Sequence, residues 1–162
     1  MILQAKLSLP DQTEPHSGLQ AMNSQYQIES DYQQIAGVCS DIRETYSKIM
    51  NEQQMNEVQI SLSEALNNVI EHSYQESAGY LIQIACEAHD ESFKIAITDF
   101  GCGMPEQNFT IHSSEIVLDE NNLDSMPEGG MGIALIKSCM DHTKYCRNAG
   151  ANVLKLTKLI RN

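Results

Sequence analysis

The spacing of the hydrophobic residues changes near Gly79, and this change constrains the fold more than any other feature. Over residues 32–49, and again over residues 52–74, apolar side chains recur at helical spacing. Over residues 80–100 they alternate with polar side chains in two runs separated by the turn sequence HDES, which predicts an antiparallel hairpin. Helices combined with paired strands predict an α/β (α+β) domain.

The remaining segments complete this prediction. A strand is expected at Tyr26 to Ile28, a third helix from Gly132 to about Met140, and two closing strands around a turn at residues 149–151. Residues 101–130 are rich in Gly, Pro and acidic side chains and have no clear period. A loop of that length inside a compact domain is usually functional, and we expect it to be a lid.

The chain has a length that suits one domain. We predict an N-terminal extension over residues 1–22, because Pro10 and the polar run after it break a short apolar start. The single folded domain is then expected over residues 23–162. No apolar run approaches the roughly 20 residues of a membrane span, and the first residues do not resemble a signal peptide.

The charge is acidic and unevenly distributed. The chain has 22 Asp and Glu against 10 Lys and Arg, a net charge of −12. Six of those ten cations lie in residues 137–162, with a single acidic residue. The acidity argues against a nucleic-acid-binding protein, since phosphates require a basic surface. Five cysteines, an odd number, favour reduced thiols and a cytoplasmic location.

The first motif with chemical content is SEALNNVIEHSY, in the second predicted helix. Glu64, Asn68 and His72 follow one another at intervals of four residues, so they lie in one row on the helix. The row is a solvated polar face or, if it is buried, part of a functional site. The motif alone does not decide between the two.

The second motif is ITDFGCGMP, at the end of a predicted strand. Asp99 ends the apolar run, and Gly101 and Gly103 allow the backbone to turn sharply and to approach a ligand. A carboxylate there can accept a hydrogen bond from an exocyclic amine, such as that of adenine. An ordinary strand-to-loop turn has the same composition, so both interpretations stay open.

The third motif, EGGMGIALI, leads from glycines directly into a helix. Free backbone N–H groups at a helix N-terminus bind phosphate well, and glycines permit close approach. Gly129, Gly130 and Gly132 therefore predict a phosphate site or, alternatively, a flexible entry into a packed helix. The motif is neither a Walker loop nor a dinucleotide fingerprint.

Taken in order, these three motifs resemble the N, G1 and G2 boxes of the GHKL ATPases. Their details are similar to those of the bacterial anti-sigma-factor serine kinases, over roughly residues 25–160. The resemblance implies the GHKL fold, which is a two-layer α/β sandwich with a mixed, mostly antiparallel sheet and three helices on one face. It also implies ATP and Mg²⁺ as cofactors. It implies that Glu64 is the general base, that Asn68 ligates Mg²⁺ and that Asp99 binds the adenine amine. The other nucleotide-binding residues that it implies are Gly101, Gly103, Gly129, Gly130, Met131, Gly132 and Thr157.

The same resemblance implies a function. It is that of an ATP-dependent serine/threonine-protein kinase that acts as an anti-sigma factor in a partner-switching system. Its partners would be a sigma factor and an antagonist of the sulfate-transporter/anti-sigma-antagonist domain type, which it would phosphorylate. A homodimer is also implied, without nucleic-acid or membrane partners. The alternative is a nucleotide-gated binding module that sequesters its partner with little or no kinase activity.

One feature departs from the family pattern. No Lys or Arg occurs between Lys94 and Lys137, whereas the predicted lid over residues 104–128 carries several acidic residues, and Glu128 directly precedes the glycines. ATP brings about four more negative charges to this neighbourhood at pH 7. We therefore expect nucleotide binding to depend strongly on Mg²⁺, with the helix N-terminus and Lys137 contributing.

Overall fold

The computed structural model describes residues 21–89, 91–103 and 131–160. Five strands form one sheet in the order β1-β2-β3-β5-β4, and every neighbouring pair of these strands is antiparallel. The elements are β1 Met22–Glu29, α1 Tyr32–Tyr46, α2 Glu52–Asn68, β2 Leu81–His89, β3 Ser92–Asp99, α3 Met131–Cys139, β4 His142–Asn148 and β5 Ala151–Leu159.

Side-chain caps mark the start of the first two helices. The Asp31 side chain accepts a hydrogen bond from the Gln33 backbone N–H, at 2.9 Å, and so caps α1. Asn51 and Gln54 form a reciprocal capping box at the start of α2. These caps satisfy backbone donors that the first helical turn leaves unpaired, and they set the position along the chain at which each helix begins.

The core lies between the helices and one face of the sheet. Alternate strand residues point into it, among them Ile84, Ile95 and Leu156, and they meet apolar residues of α1 and α2 such as Ile42 and Leu66. The predicted two-layer sandwich with three helices is therefore confirmed. Among the described residues, no helix is both long and apolar enough to cross a membrane.

Two boundaries differ from the sequence prediction. Strand β1 begins at Met22, four residues before the predicted start, because the alternation of buried and exposed side chains continues back through Ser24. The second helix does not run as an α-helix to Tyr74, since it changes at Val69 to a π-helical turn that ends at Ser73. The backbone N–H of Tyr74 donates to the Val69 carbonyl, five residues earlier, at 2.9 Å.

A tight turn joins the last two strands. Ala149 and Gly150 both have positive φ, 49° and 83°, as a two-residue hairpin turn of the primed type requires. This turn pairs Asn148 with Ala151 and Arg147 with Asn152. It therefore sets which residues of β5 face the helices, and this matters for the site described next.

Candidate functional site

The first part of the site lies where α2 meets the start of α3. Glu64 and Asn68 occupy successive turns of α2, and Asn68 is buried while Glu64 is half-buried. Gly132 is in the first turn of α3 and lies directly against them. A Cβ atom on Gly132 would be 2.9 Å from Glu64 Oε2 and 3.4 Å from both side-chain heteroatoms of Asn68. The structure thus brings together a predicted base, a predicted metal ligand and a predicted phosphate-binding glycine.

These residues are compatible with a magnesium ion. Carboxylate and amide oxygens are the hard donors that Mg²⁺ takes, usually one or two from the protein with the rest from phosphates and water. The missing Cβ of Gly132 leaves room beside both side chains. In the part of the chain that the structure describes, no hydrogen bond or ion pair engages the Glu64 carboxylate.

The second part of the site is centred on the buried Asp99, at the end of β3. One carboxylate oxygen, Oδ1, accepts hydrogen bonds from the Ser73 hydroxyl, from the Gly101 backbone N–H at 3.0 Å and from Asn152 Nδ2 at 2.7 Å. No donor from the described residues reaches Oδ2. Oδ2 is therefore the oxygen of this carboxylate that the described residues leave for a ligand.

The π-helical turn joins these two parts. It starts directly after Asn68 and ends at Ser73, whose hydroxyl contacts Asp99. The Ser73 carbonyl accepts from the Cys102 backbone N–H at 2.8 Å, and the Ser73 hydroxyl lies 2.8 Å from the Cys102 carbonyl. π-Helical turns are rare and are frequent at functional sites. Here the turn attaches the loop after β3 to the end of α2.

Close backbone approach explains the two glycines of this loop. A Cβ on Gly101 would overlap the Ser73 carbonyl, and a Cβ on Gly103 would overlap the guanidinium of Arg147. Tyr74 adds a further restraint, because its hydroxyl accepts from the Phe100 backbone N–H at 2.9 Å. The loop that follows Asp99 is therefore held against the π-helical turn by the Ser73 carbonyl and the Tyr74 hydroxyl.

Arg147 brings a positive charge to the edge of this loop, and the sequence analysis did not single it out. It lies on β4 directly opposite Asn152, and its side chain crosses Gly103. Burial lowers the pKa of Lys137, the cation that the sequence analysis considered. A cation beside Gly103 supplies positive charge that residues 104–128 lack in the sequence.

Thr157 does not join the site, so its predicted role beside adenine is wrong. Side chains alternate along β5, and Thr157 pairs with Lys94 and His142 on the face of the sheet that the helices do not cover. A shallow groove on that face includes Thr157, but none of the other predicted site residues. Asn152 occupies the position opposite Asp99 instead.

The other predicted positions are less informative. Met131 begins α3 and is 65% exposed. His72 is exposed, and its nearest ionic partner is Glu71 at 4.0 Å. Gly129, Gly130 and the predicted lid lie outside the described residues, as does the predicted extension apart from its last two positions. No group of three His, Cys, Asp or Glu side chains suited to a metal ion occurs in the described ranges.

Comparison with known families identifies the class of protein. The model of the histidine kinase-like ATPase domain matches residues 28–158. This range runs from the end of β1 almost to the end of β5 and contains both parts of the site. The chain therefore belongs to the histidine kinase-like ATPase family.

Individual proteins of known name are similar to this chain over most of its length. A protein named Serine-protein kinase RsbW, from Staphylococcus aureus strain MSSA476, is 32% identical over 129 residues, which is 78% of this chain and 76% of the relative. The protein of the same name from strain JH9 is 30% identical over 128 residues, with the same shares of both chains. The solved RsbU and RsbW domains of Rv1364c from Mycobacterium tuberculosis share the fold, with a TM-score of 0.57 and 17% identity over 85% of this chain and 33% of that longer chain.

Proposed function

We propose that this protein is an ATP-dependent serine/threonine kinase that acts as an anti-sigma factor by partner switching. The observation that carries the proposal is the contact of Glu64 and Asn68 with Gly132 at the start of α3. This contact assembles a carboxylate, a metal-binding amide and a helix N-terminus in one place. Phosphoryl transfer depends mainly on positioning and charge stabilisation, and these three groups supply both.

Each group has a role in the proposal. Asp99 Oδ2 accepts the exocyclic amine of adenine, and Gly101 lets the loop pass close to the base. Gly132, with Gly129, Gly130 and Met131, offers backbone N–H groups to the phosphates. Glu64 takes the proton from the attacking hydroxyl of the protein substrate. Asn68 holds Mg²⁺, which neutralises charge on the phosphates.

Transfer of label from [γ-³²P]ATP to the antagonist tests the proposal. The antagonist is a small protein of the sulfate-transporter/anti-sigma-antagonist domain type, taken from the same genome. We expect the wild-type protein to label it on Ser or Thr, and Glu64→Gln to lower the rate by about 100-fold or more, since a positioned base contributes roughly 10²–10⁴-fold. ATP affinity in that variant should change little.

Glu71→Gln is the matched control, because Glu71 is an exposed glutamate of the π-helical turn, next to His72. It should transfer phosphate at the wild-type rate. Absence of label in the antagonist, with antagonist binding intact, would contradict kinase activity.

The second candidate function is a nucleotide-gated binding module with little catalysis. The acidic composition of residues 104–128 favours it, because Glu128 directly precedes the glycines of the proposed phosphate site in the sequence. Partner regulation in cells that survives Glu64→Ala would support the module over the kinase. In either case we propose that the protein acts in the cytoplasm as a homodimer that binds a sigma factor and its antagonist.

A further inference from the structure

A chain of hydrogen bonds leads from the half-buried Tyr145 of β4 to the buried Asp99 carboxylate. The Tyr145 hydroxyl donates to Asn152 Oδ1 at 3.0 Å, and Asn152 Nδ2 donates to Asp99 Oδ1 at 2.7 Å. The Asn152 side chain is almost completely buried, with 1% of the residue exposed, and Asp99 is 3% exposed. Three side chains on three adjacent strands are thus linked in one line, and its last member is the residue proposed to bind the base.

The network admits one orientation of the Asn152 amide. Reversing it would place an amide oxygen 2.7 Å from a carboxylate oxygen, and two acceptors at that distance repel each other. In the observed orientation, Nδ2 also lies 3.3 Å from both the Ser73 hydroxyl and the Gly101 carbonyl. The oxygen of the amide is then left to accept from Tyr145, so every polar atom of the Asn152 side chain has a partner.

The two carboxylate oxygens of Asp99 differ in their hydrogen-bond partners. Oδ1 receives three donors, from Ser73, Gly101 and Asn152. These donors hold the carboxylate in one rotamer. Oδ2 receives no donor from the described residues, so it is the oxygen left to accept from a ligand in a fixed direction.

We infer that Tyr145 and Asn152 are positioning residues that set the selectivity of this pocket for a purine with an exocyclic amine at position 6. The inference rests on the proposed function, in which the pocket takes an adenine nucleotide. Neither residue contacts the base in this account. They act through Asp99 by holding its rotamer, and a site built to hydrogen-bond an amine rejects a ligand that lacks it.

The test compares two ligands in the full chain by calorimetry with Mg²⁺ present. One is ATP, and the other is purine riboside triphosphate, which has hydrogen in place of the 6-amino group. We expect the wild-type protein to prefer ATP by about 10-fold or more, within the range of one buried hydrogen bond to a charged group. Tyr145→Phe should reduce this preference about three- to tenfold by weakening ATP binding alone.

Two further variants are compared for their preference for ATP. Asn152→Asp is nearly isosteric and replaces the donor to Asp99 with a second carboxyl, so it should abolish the preference for ATP. Tyr80→Phe is the control, because Tyr80 is 53% exposed and stacks on Tyr74, and it should keep the wild-type preference. Thermal denaturation of each variant establishes that it is folded.

The outcomes separate the inference from the proposed function. If Tyr145→Phe weakens both ligands equally, or weakens neither, the positioning role is wrong while the nucleotide pocket stands. If the wild-type protein binds neither ligand, the proposed function fails and the inference fails with it. A preference for ATP that falls in Tyr145→Phe and disappears in Asn152→Asp supports both.

Discussion

Gly132 and Glu64 are in direct contact, although they belong to different helices. A Cβ at position 132 would lie 2.9 Å from Glu64 Oε2, a separation that real Cβ atoms hardly ever show. A side chain at position 132 would therefore displace the end of the Glu64 side chain. This relationship connects two motifs that are far apart in the sequence.

Substitution Gly132→Ala should weaken Mg²⁺·ATP binding by up to about 10-fold, or about 1.4 kcal/mol, because the added methyl group displaces the Glu64 carboxylate from its place beside Asn68. Ser138→Ala, an exposed position on the same helix, is the control. In the Glu64→Ala background the added methyl group has room, so the same substitution should cost much less. Equal loss of affinity in both backgrounds would contradict the contact.

A second coupled pair is Gly103 and Arg147. Gly103→Ala should destabilise the protein by about 1 kcal/mol or less in urea denaturation, since the new methyl group displaces the exposed Arg147 side chain. With Arg147→Ala present, the alanine at 103 should be nearly neutral. A double-mutant cycle measures this coupling directly, and additive effects would show that the two side chains do not meet.

Stability at acid pH should depend on Glu57. Its hydrogen bond and ion pair with Lys158 hold the pKa of Glu57 below its ordinary value of 4.5. Because the pKa is lowered in the folded state, the stabilisation is present above pH 4.5 and is lost as the pH falls through the folded-state pKa. Glu57→Gln should lower the melting temperature at pH 7, and the difference from wild type should shrink towards pH 3.

The expected loss of unfolding free energy in Glu57→Gln is about 1 kcal/mol or less at pH 7, the range of partly exposed ion pairs. Glu52→Gln is the matched control, because Glu52 pairs with Arg43 at 3.0 Å but is 79% exposed. Glu52→Gln should not change the melting temperature measurably at any pH. A Glu57→Gln difference that stays constant from pH 7 to pH 3 would rule out this titration as its source.

Tyr46 is expected to stabilise the core through its hydroxyl as well as its ring. The hydroxyl lies 2.8 Å from the Ser24 hydroxyl, and the ring packs on Phe93 with centroids 4.6 Å apart. Tyr46→Phe keeps the ring and leaves Ser24 without this partner, so it should cost about 1–2 kcal/mol in urea denaturation. Tyr80→Phe, on the surface, should cost nothing measurable.

The sequence predicted the elements and the three motifs because each depends on local pattern. The caps at Asp31 and Asn51 and the alternation in β2 and β3 are local features. The contact of Gly132 with Glu64 depends on how two helices pack, which no spacing within either motif encodes. Only the resemblance to a family suggested that these residues share one site.

Asn152 and Ser73 were missed for different reasons. Alternation along β5 puts Leu154 and Leu156 in the core, and extending that period would have selected Asn152 and rejected Thr157. For Ser73 no such signal exists, since an α-helical period continues through SEALNNVIEHSY and does not indicate the π-helical turn. Arg147 could not be found either, because its contact with Gly103 depends on the order of strands in the sheet.

The two parts of the site are proposed to bind one ATP molecule, with its phosphates at Asn68 and Gly132 and its base at Asp99. Calorimetric titration with ATP, in Mg²⁺ and then in EDTA, tests it most directly, with Asn68→Ala as the comparison. We expect tight ATP binding with Mg²⁺ and a loss of affinity of at least about 10-fold in EDTA. EDTA should have little further effect on the ATP affinity of Asn68→Ala. Wild-type affinity that is unchanged by EDTA, or no binding in Mg²⁺, would contradict it.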